Sequence, residues 1–139
     1  MKSLMKQKKH YFVVSSEIVK EFYVAFKKND FNTCQKLCNS ETEWITIEEI
    51  SYGGTFKGVK EIFENYFPNM LKNFKEFNMI PDQITTLKDH VMVNGKYQGI
   101  SKSGKKFEVL FSHVYLVLEN KIVQFREFAD IEMIKKSLN

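Results

Sequence analysis

Two titratable side chains in apolar surroundings carry most of the chemical information in this chain. His113 lies inside the run Lys105 to Asp130, KKFEVLFSHVYLVLENKIVQFREFAD, and Glu127 lies near its end. Histidine is the side chain whose proton moves near neutral pH. A carboxylate in a dry cavity has its charged form disfavoured, so its pKa rises. Together they form a candidate acid–base pair: Glu127 to take a proton alpha to a carbonyl, His113 to donate to the developing oxygen. Glu48 is a second candidate base, because it shares strand alternation with Trp44 across Glu43 to Glu49. A purely structural alternative stands beside this reading. A buried histidine must be hydrogen-bonded in any case, and Glu127, Tyr115 or a backbone carbonyl would serve.

Other chemistries lack their residues. The three histidines are well separated and give no metal constellation. Gly53-Gly54 lacks the lysine and hydroxyl of a phosphate-binding loop. Cys34 and Cys38 are four apart, with no further Cys/His pair to complete a zinc site. The expectation is reduced thiols, no metal and no cofactor. Four lysines, Lys2, Lys6, Lys8 and Lys9, supply much of a net charge of +4. They read as a basic tail over residues 1–14, and no base-stacking motif accompanies them, so no nucleic-acid partner is expected. The apolar piece Tyr11 to Val14 is too short for a secretory signal, and no run is long enough to span a bilayer. The expectation is a cytoplasmic protein with no membrane partner.

The elements that must position these groups follow from periodicity. Lys105 to Asp130 is two beta-branched and aromatic runs broken at Glu119-Asn120-Lys121, a hairpin pattern. Phe107, Val109, Phe111, His113, Tyr115 and Val117 share one face of its first arm. The opposite face is also largely apolar. In the second arm, Val123, Phe125, Glu127 and Ala129 share a face, and Ile122, Gln124, Arg126, Phe128 and Asp130 the other. Arg126 and Asp130 read there as an ion pair. Before the hairpin, Ser15 or Ser16 opens a helix that should stop near Asn29-Asp30, and a short helix runs from Phe31 to Leu37. A strand covers Glu43 to Glu49, and paired glycines then turn the chain. From Val59 to Phe74 apolar residues recur at helical spacing, with Pro68 expected to kink or split the helix. Strands follow from about Met79 to Leu87 and from His90 to Ile100. Residues 15–139 form one α+β domain in the order α-α-β-α-β-β-β-β, with helices on one face of a bent antiparallel sheet. Thirteen Phe and six Tyr are enough to wall a cavity or to fill a core.

Glu43-Trp44, Tyr52 to Gly58, Phe107 to Tyr115 and Lys121 to Asp130 resemble the SnoaL-like, ketosteroid isomerase-like branch of the nuclear transport factor 2-like superfamily. The resemblance covers about residues 15 to 135. It implies a cone: a curved sheet around a deep apolar pocket roofed by helices, and homodimers formed through the outer sheet face. Carried onto this sequence, the pocket holds Trp44, Thr46, Glu48, Tyr97, Phe111, His113, Tyr115, Phe125 and Glu127, with Phe22 at the place of a ketosteroid isomerase tyrosine. His113 falls at that enzyme's donor aspartate, and Glu48 or Glu49 near its base. Glu127 matches the remaining acid of limonene epoxide hydrolase. The expected function is a pocket for a small apolar molecule, with proton-transfer chemistry of the isomerase, cyclase or hydratase type on a carbonyl-bearing or cyclic substrate. A non-catalytic binder of hydrophobic ligands and a protein-interaction module of the same fold are the alternatives.

Overall fold

The computed structural model describes residues 14–138, so the basic segment preceding Val14 lies outside the described residues. Helix α1, Ser15–Lys27, buries Ile18, Val19, Phe22, Tyr23, Ala25 and Phe26 in one broad stripe. Its N-cap is Val14, without a side-chain cap, so neither Ser15 nor Ser16 plays that part. Asp30 caps the next helix instead: its carboxylate accepts from the Thr33 N–H at 3.1 Å, opening α2, Phe31–Lys36. Cys34 is buried on α2, whereas Cys38 already begins a strand, and both thiols are free.

Six strands form one curved, unclosed sheet in the order β2-β1-β6-β5-β4-β3. They are β1 (Cys38–Ile45), β2 (Thr55–Lys57), β3 (Phe74–Leu87), β4 (His90–Ser101), β5 (Lys106–Leu118) and β6 (Lys121–Ala129). The strands from β3 to β6 make the expected meander. The sheet is mixed rather than antiparallel, because β1 runs parallel to β6. Hairpin geometry cannot reveal such a pairing, since the partners are about eighty residues apart. The sixth strand, β2, was also hidden: three residues beside a glycine turn carry too little alternation to announce a strand.

Strand β1 starts earlier and ends earlier than the alternation of Glu43 to Glu49 predicts. It stops at Ile45, opposite Thr55, where the pairing with β2 ends. Beyond it the Thr46 hydroxyl donates to the Gly54 carbonyl at 2.8 Å and accepts the Gly54 N–H at 2.9 Å. That clamp closes the loop, and Glu48 and Glu49 stand exposed in its turn.

The helix predicted from Val59 to Phe74 is divided just before Pro68 and ends at Leu71. Short α3 (Val59–Glu61) widens into a π-helical turn, Ile62–Tyr66, and α4 (Phe67–Leu71) follows with Pro68 in its first positions. Proline has no N–H to give the carbonyl four residues earlier, and the wider turn lies just before it. The Asn73 side chain donates to the carbonyls of Asn69 (2.8 Å) and Met70 (3.3 Å), ending the helix before Phe74 enters β3.

At the β5–β6 turn, Glu119 (φ 50°) and Asn120 (φ 63°) both adopt positive φ, the geometry of a tight primed hairpin. A bulge then displaces the register between Leu116 and Val117, so that Val117 pairs with Ile122. Ile122 therefore turns inward and is fully buried, the reverse of simple alternation. Asp130 does not serve an ion pair with Arg126. It caps the final helix, α5 (Ile131–Ser137), accepting from the Met133 N–H at 3.1 Å. The core lies between the concave face of the sheet and α1, α4 and α5, and Trp44 stacks on Phe125 at 4.1 Å at its centre.

Candidate functional site

The β5–β6 ladder sets His113 directly opposite Glu127, both toward the concave side. Strand β4 adds Tyr97, and α1 adds Tyr23. These groups form one chain of hydrogen bonds. The Tyr97 hydroxyl bonds Nε2 of His113 at 2.6 Å and donates a very short bond to Oε2 of Glu127. The Tyr23 hydroxyl meets Nδ1 of His113 at 2.7 Å, and Tyr115 donates to Tyr23 at 2.8 Å. The backbone N–H of Ile47 donates to Oε1 of Glu127 at 3.3 Å. Phe111 stacks on the imidazole at 3.8 Å, fixing its plane.

Burial sets the electrostatics. It pushes the His113 pKa well below its ordinary value, so the ring is neutral. Burial raises the Glu127 pKa, while the hydrogen bonds from Tyr97 and Ile47 pull it partly back. The phenols of Tyr97, Tyr66 and Tyr115 are pushed far up, chiefly by burial, and remain protonated.

Glu127 and Tyr97 line a hollow whose other walls include Trp44, Tyr52, Tyr66, Phe74, Phe77, Met79, Tyr115 and Phe125. No lysine, arginine or histidine is among the described residues that line it. It encloses about 490 Å³ of non-atom space, its mouth included, but only about 20 Å³ of this is open to the centre of a water molecule. That is room for about one water. A larger occupant therefore needs side chains to give way, and Tyr52, Phe77, Met79 and Phe107, all half-buried, are where the hollow nears solvent.

Of the residues singled out from the sequence, Trp44, Tyr97, Tyr115, Phe125 and Glu127 line the hollow. His113, Phe111 and Phe22 are buried beside it rather than in its lining. His113 stands behind Tyr97 and meets Glu127 only through that hydroxyl. Thr46 is buried but engaged in the Gly54 clamp. Glu48 is exposed in the loop and is not part of the site, because β1 ends three residues before it. Tyr23, Tyr52 and Tyr66 went unrecognised. Tyr23 follows the Phe22 singled out above, and its signal was the buried stripe's width, which includes Val19 and Tyr23 as well as Ile18 and Phe22.

No family model matches the chain, and no curated protein sequence matches it. Solved structures do. An NTF2-like protein from Burkholderia thailandensis superposes with a TM-score of 0.85 at 25% identity, over 91% of this chain and 98% of that one. TerC, co-crystallized with polyporic acid, gives 0.83 at 19% identity, over 89% and 97% of the two chains. A hypothetical protein with a ketosteroid isomerase-like fold from Catenulispora acidiphila, in complex with trimethylamine, gives 0.75 at 16%, over 87% and 91%. The chain thus shares the nuclear transport factor 2-like fold of these structures.

Proposed function

We propose that this protein binds a neutral, carbonyl-bearing or cyclic small molecule and catalyses proton transfer on it, in the manner of an isomerase, cyclase or hydratase. Glu127 is the proton acceptor and Tyr97 the donor to the developing oxygen. The observation that carries the reading is a single carboxylate among the described lining residues, raised in pKa by burial and bonded to a phenol, in a hollow whose other described walls are apolar and phenolic side chains and Ser137. With no cationic group among the described lining residues, an anionic substrate would meet Glu127 uncompensated by them. Proton capture by Glu127 also weakens its hold on the Tyr97 hydroxyl, which becomes available as charge develops on the substrate oxygen. His113 is a positioning residue: it holds Tyr97 and does not touch substrate. The small-molecule complexes of TerC and the Catenulispora protein support a ligand site in this fold.

The exposed face of the sheet supports a homodimer. Met92, Leu110 and Phe128 stand on neighbouring strands, 45%, 69% and 51% exposed. Two unpaired thiols agree with a cytoplasmic setting. No helix among the described residues is long and apolar enough to cross a membrane.

The narrowness of the hollow favours one rival, a protein-interaction module whose core is filled by its own aromatics. A thermal-shift screen with steroids, terpenoids and aromatic polyketides separates the two, since a ligand of the folded form raises the melting temperature. The proposal expects a hit that Glu127→Gln still binds but no longer turns over. A screen without hits, with the hollow still closed in a crystal structure, favours the rival.

A further inference from the structure

Donor counting along the buried chain gives it a direction. Tyr97 has one hydroxyl proton and two partners, Glu127 and His113. An ionised carboxylate only accepts, so Tyr97 donates to Glu127 and Nε2 of His113 must carry a proton to donate to Tyr97. A neutral imidazole has one N–H, so Nδ1 is bare and accepts from Tyr23, which accepts from Tyr115. Every hydrogen points toward Glu127. Both ends, Tyr115 and Glu127, line the same hollow, and the linking groups are buried.

We propose that Tyr115 is a second proton port of the cavity, joined to Glu127 by a relay through Tyr23, His113 and Tyr97. The inference rests on Glu127 being the proton acceptor of the site. A substrate proton passes to the Tyr115 oxygen as the Tyr115 proton moves to Tyr23, that of Tyr23 to Nδ1, that of Nε2 to Tyr97 and that of Tyr97 to Glu127. Each intermediate group gains one proton and loses one. Glu127 ends neutral, the substrate keeps the electron pair of its broken bond, and His113 ends with its proton on Nδ1. Run backwards, the relay returns a proton from Glu127 to the cavity at Tyr115. Two positions of one substrate are thereby served by a single carboxylate. The groups flanking the relay do not titrate with it. Tyr52 and Tyr66 near Glu127, and Cys34 and Cys38 near Tyr115, all have pKa values raised by burial.

The test reads the imidazole and needs no substrate, so it is separate from the search for an activity. Nitrogen-15 spectra of His113 are followed through the carboxyl carbon-13 titration of Glu127. The relay predicts an Nε2–H tautomer above the Glu127 midpoint and an Nδ1–H tautomer below it, the two changes sharing one midpoint. Tyr97→Phe abolishes this coupling. Tyr115→Phe moves the tautomer change to lower pH, because Tyr23 then lacks an acceptor in the reversed chain. A tautomer that stays the same through the Glu127 titration, or a ring that becomes doubly protonated with it, overturns the relay.

Discussion

His113 and Glu127 are direct partners across the β5–β6 ladder, yet the hydroxyl of Tyr97 stands between them and bonds both. The strand pair brings the imidazole and the carboxylate together. The third strand decides what each can do: Glu127 faces the hollow, and His113 acts on Glu127 only through Tyr97.

Opposite pH dependences follow from burying both groups. Glu127 has a raised pKa in the folded protein, so the folded state holds its proton where the unfolded state has released it. That term makes stability rise as pH falls through the folded value toward the ordinary 4.5. His113 has a lowered pKa, so below the ordinary 6.5 the unfolded state binds a proton that the folded state refuses. That term makes stability fall on acidification, by up to about 1.4 kcal/mol per pH unit. Urea midpoints between pH 7 and pH 4.5 should therefore diverge: His113→Asn loses the acid penalty, and Glu127→Gln loses the acid gain. Parallel curves for the two variants would contradict the burial assigned to both groups.

Removing the Tyr97 hydroxyl should damage catalysis more than binding. Once a substrate is in hand, Tyr97→Phe should lower kcat by about 10²–10³-fold, the usual cost of one preorganised donor, with a smaller change in KM. Equal losses in both would make Tyr97 a binding contact instead.

The loop that carries Ile47 to Glu127 depends on Gly53. A Cβ built there would lie 1.8 Å from the Ile47 carbonyl oxygen, so the backbone must move. Gly53→Ala should cost about 1–3 kcal/mol and loosen the Ile47 N–H from Glu127. Removing that hydrogen bond pushes the Glu127 pKa further up. Denaturant unfolding and a carboxyl titration of the variant read the two effects separately.

Charge on the outer sheet face tests the dimer. Leu110→Glu with Phe128→Glu should leave the fold intact, because both side chains are exposed, and should halve the mass seen by sedimentation to the 16.5 kDa of one chain. A wild-type protein that already sediments at one chain mass removes the dimer from the proposal.

Much of this architecture was legible because local patterns and tertiary packing agree. The alternation of Phe107 to Val117 sorted His113 to the concave face, and Glu119-Asn120 marked its hairpin. What stayed hidden depended on distant partners. Nothing near Glu48 shows that β1 loses its pairing with β2 at Ile45, so alternation carried the strand four residues too far. Ile122 reversed faces because of a bulge that only the register with Val117 displays. Tyr23 lies ninety residues from His113, and its part in the site emerges only when α1 packs across the sheet.

Proton transfer at this site depends on the ionisation of Glu127, and a carbon-13 titration of its carboxyl measures that directly. The prediction is a midpoint above 4.5 in the wild type and a higher one in Tyr97→Phe, where a hydrogen bond to the charged form is gone. A wild-type midpoint at or below 4.5, or one that Tyr97→Phe leaves unmoved, would contradict the assignment of Glu127 as a proton acceptor poised by Tyr97.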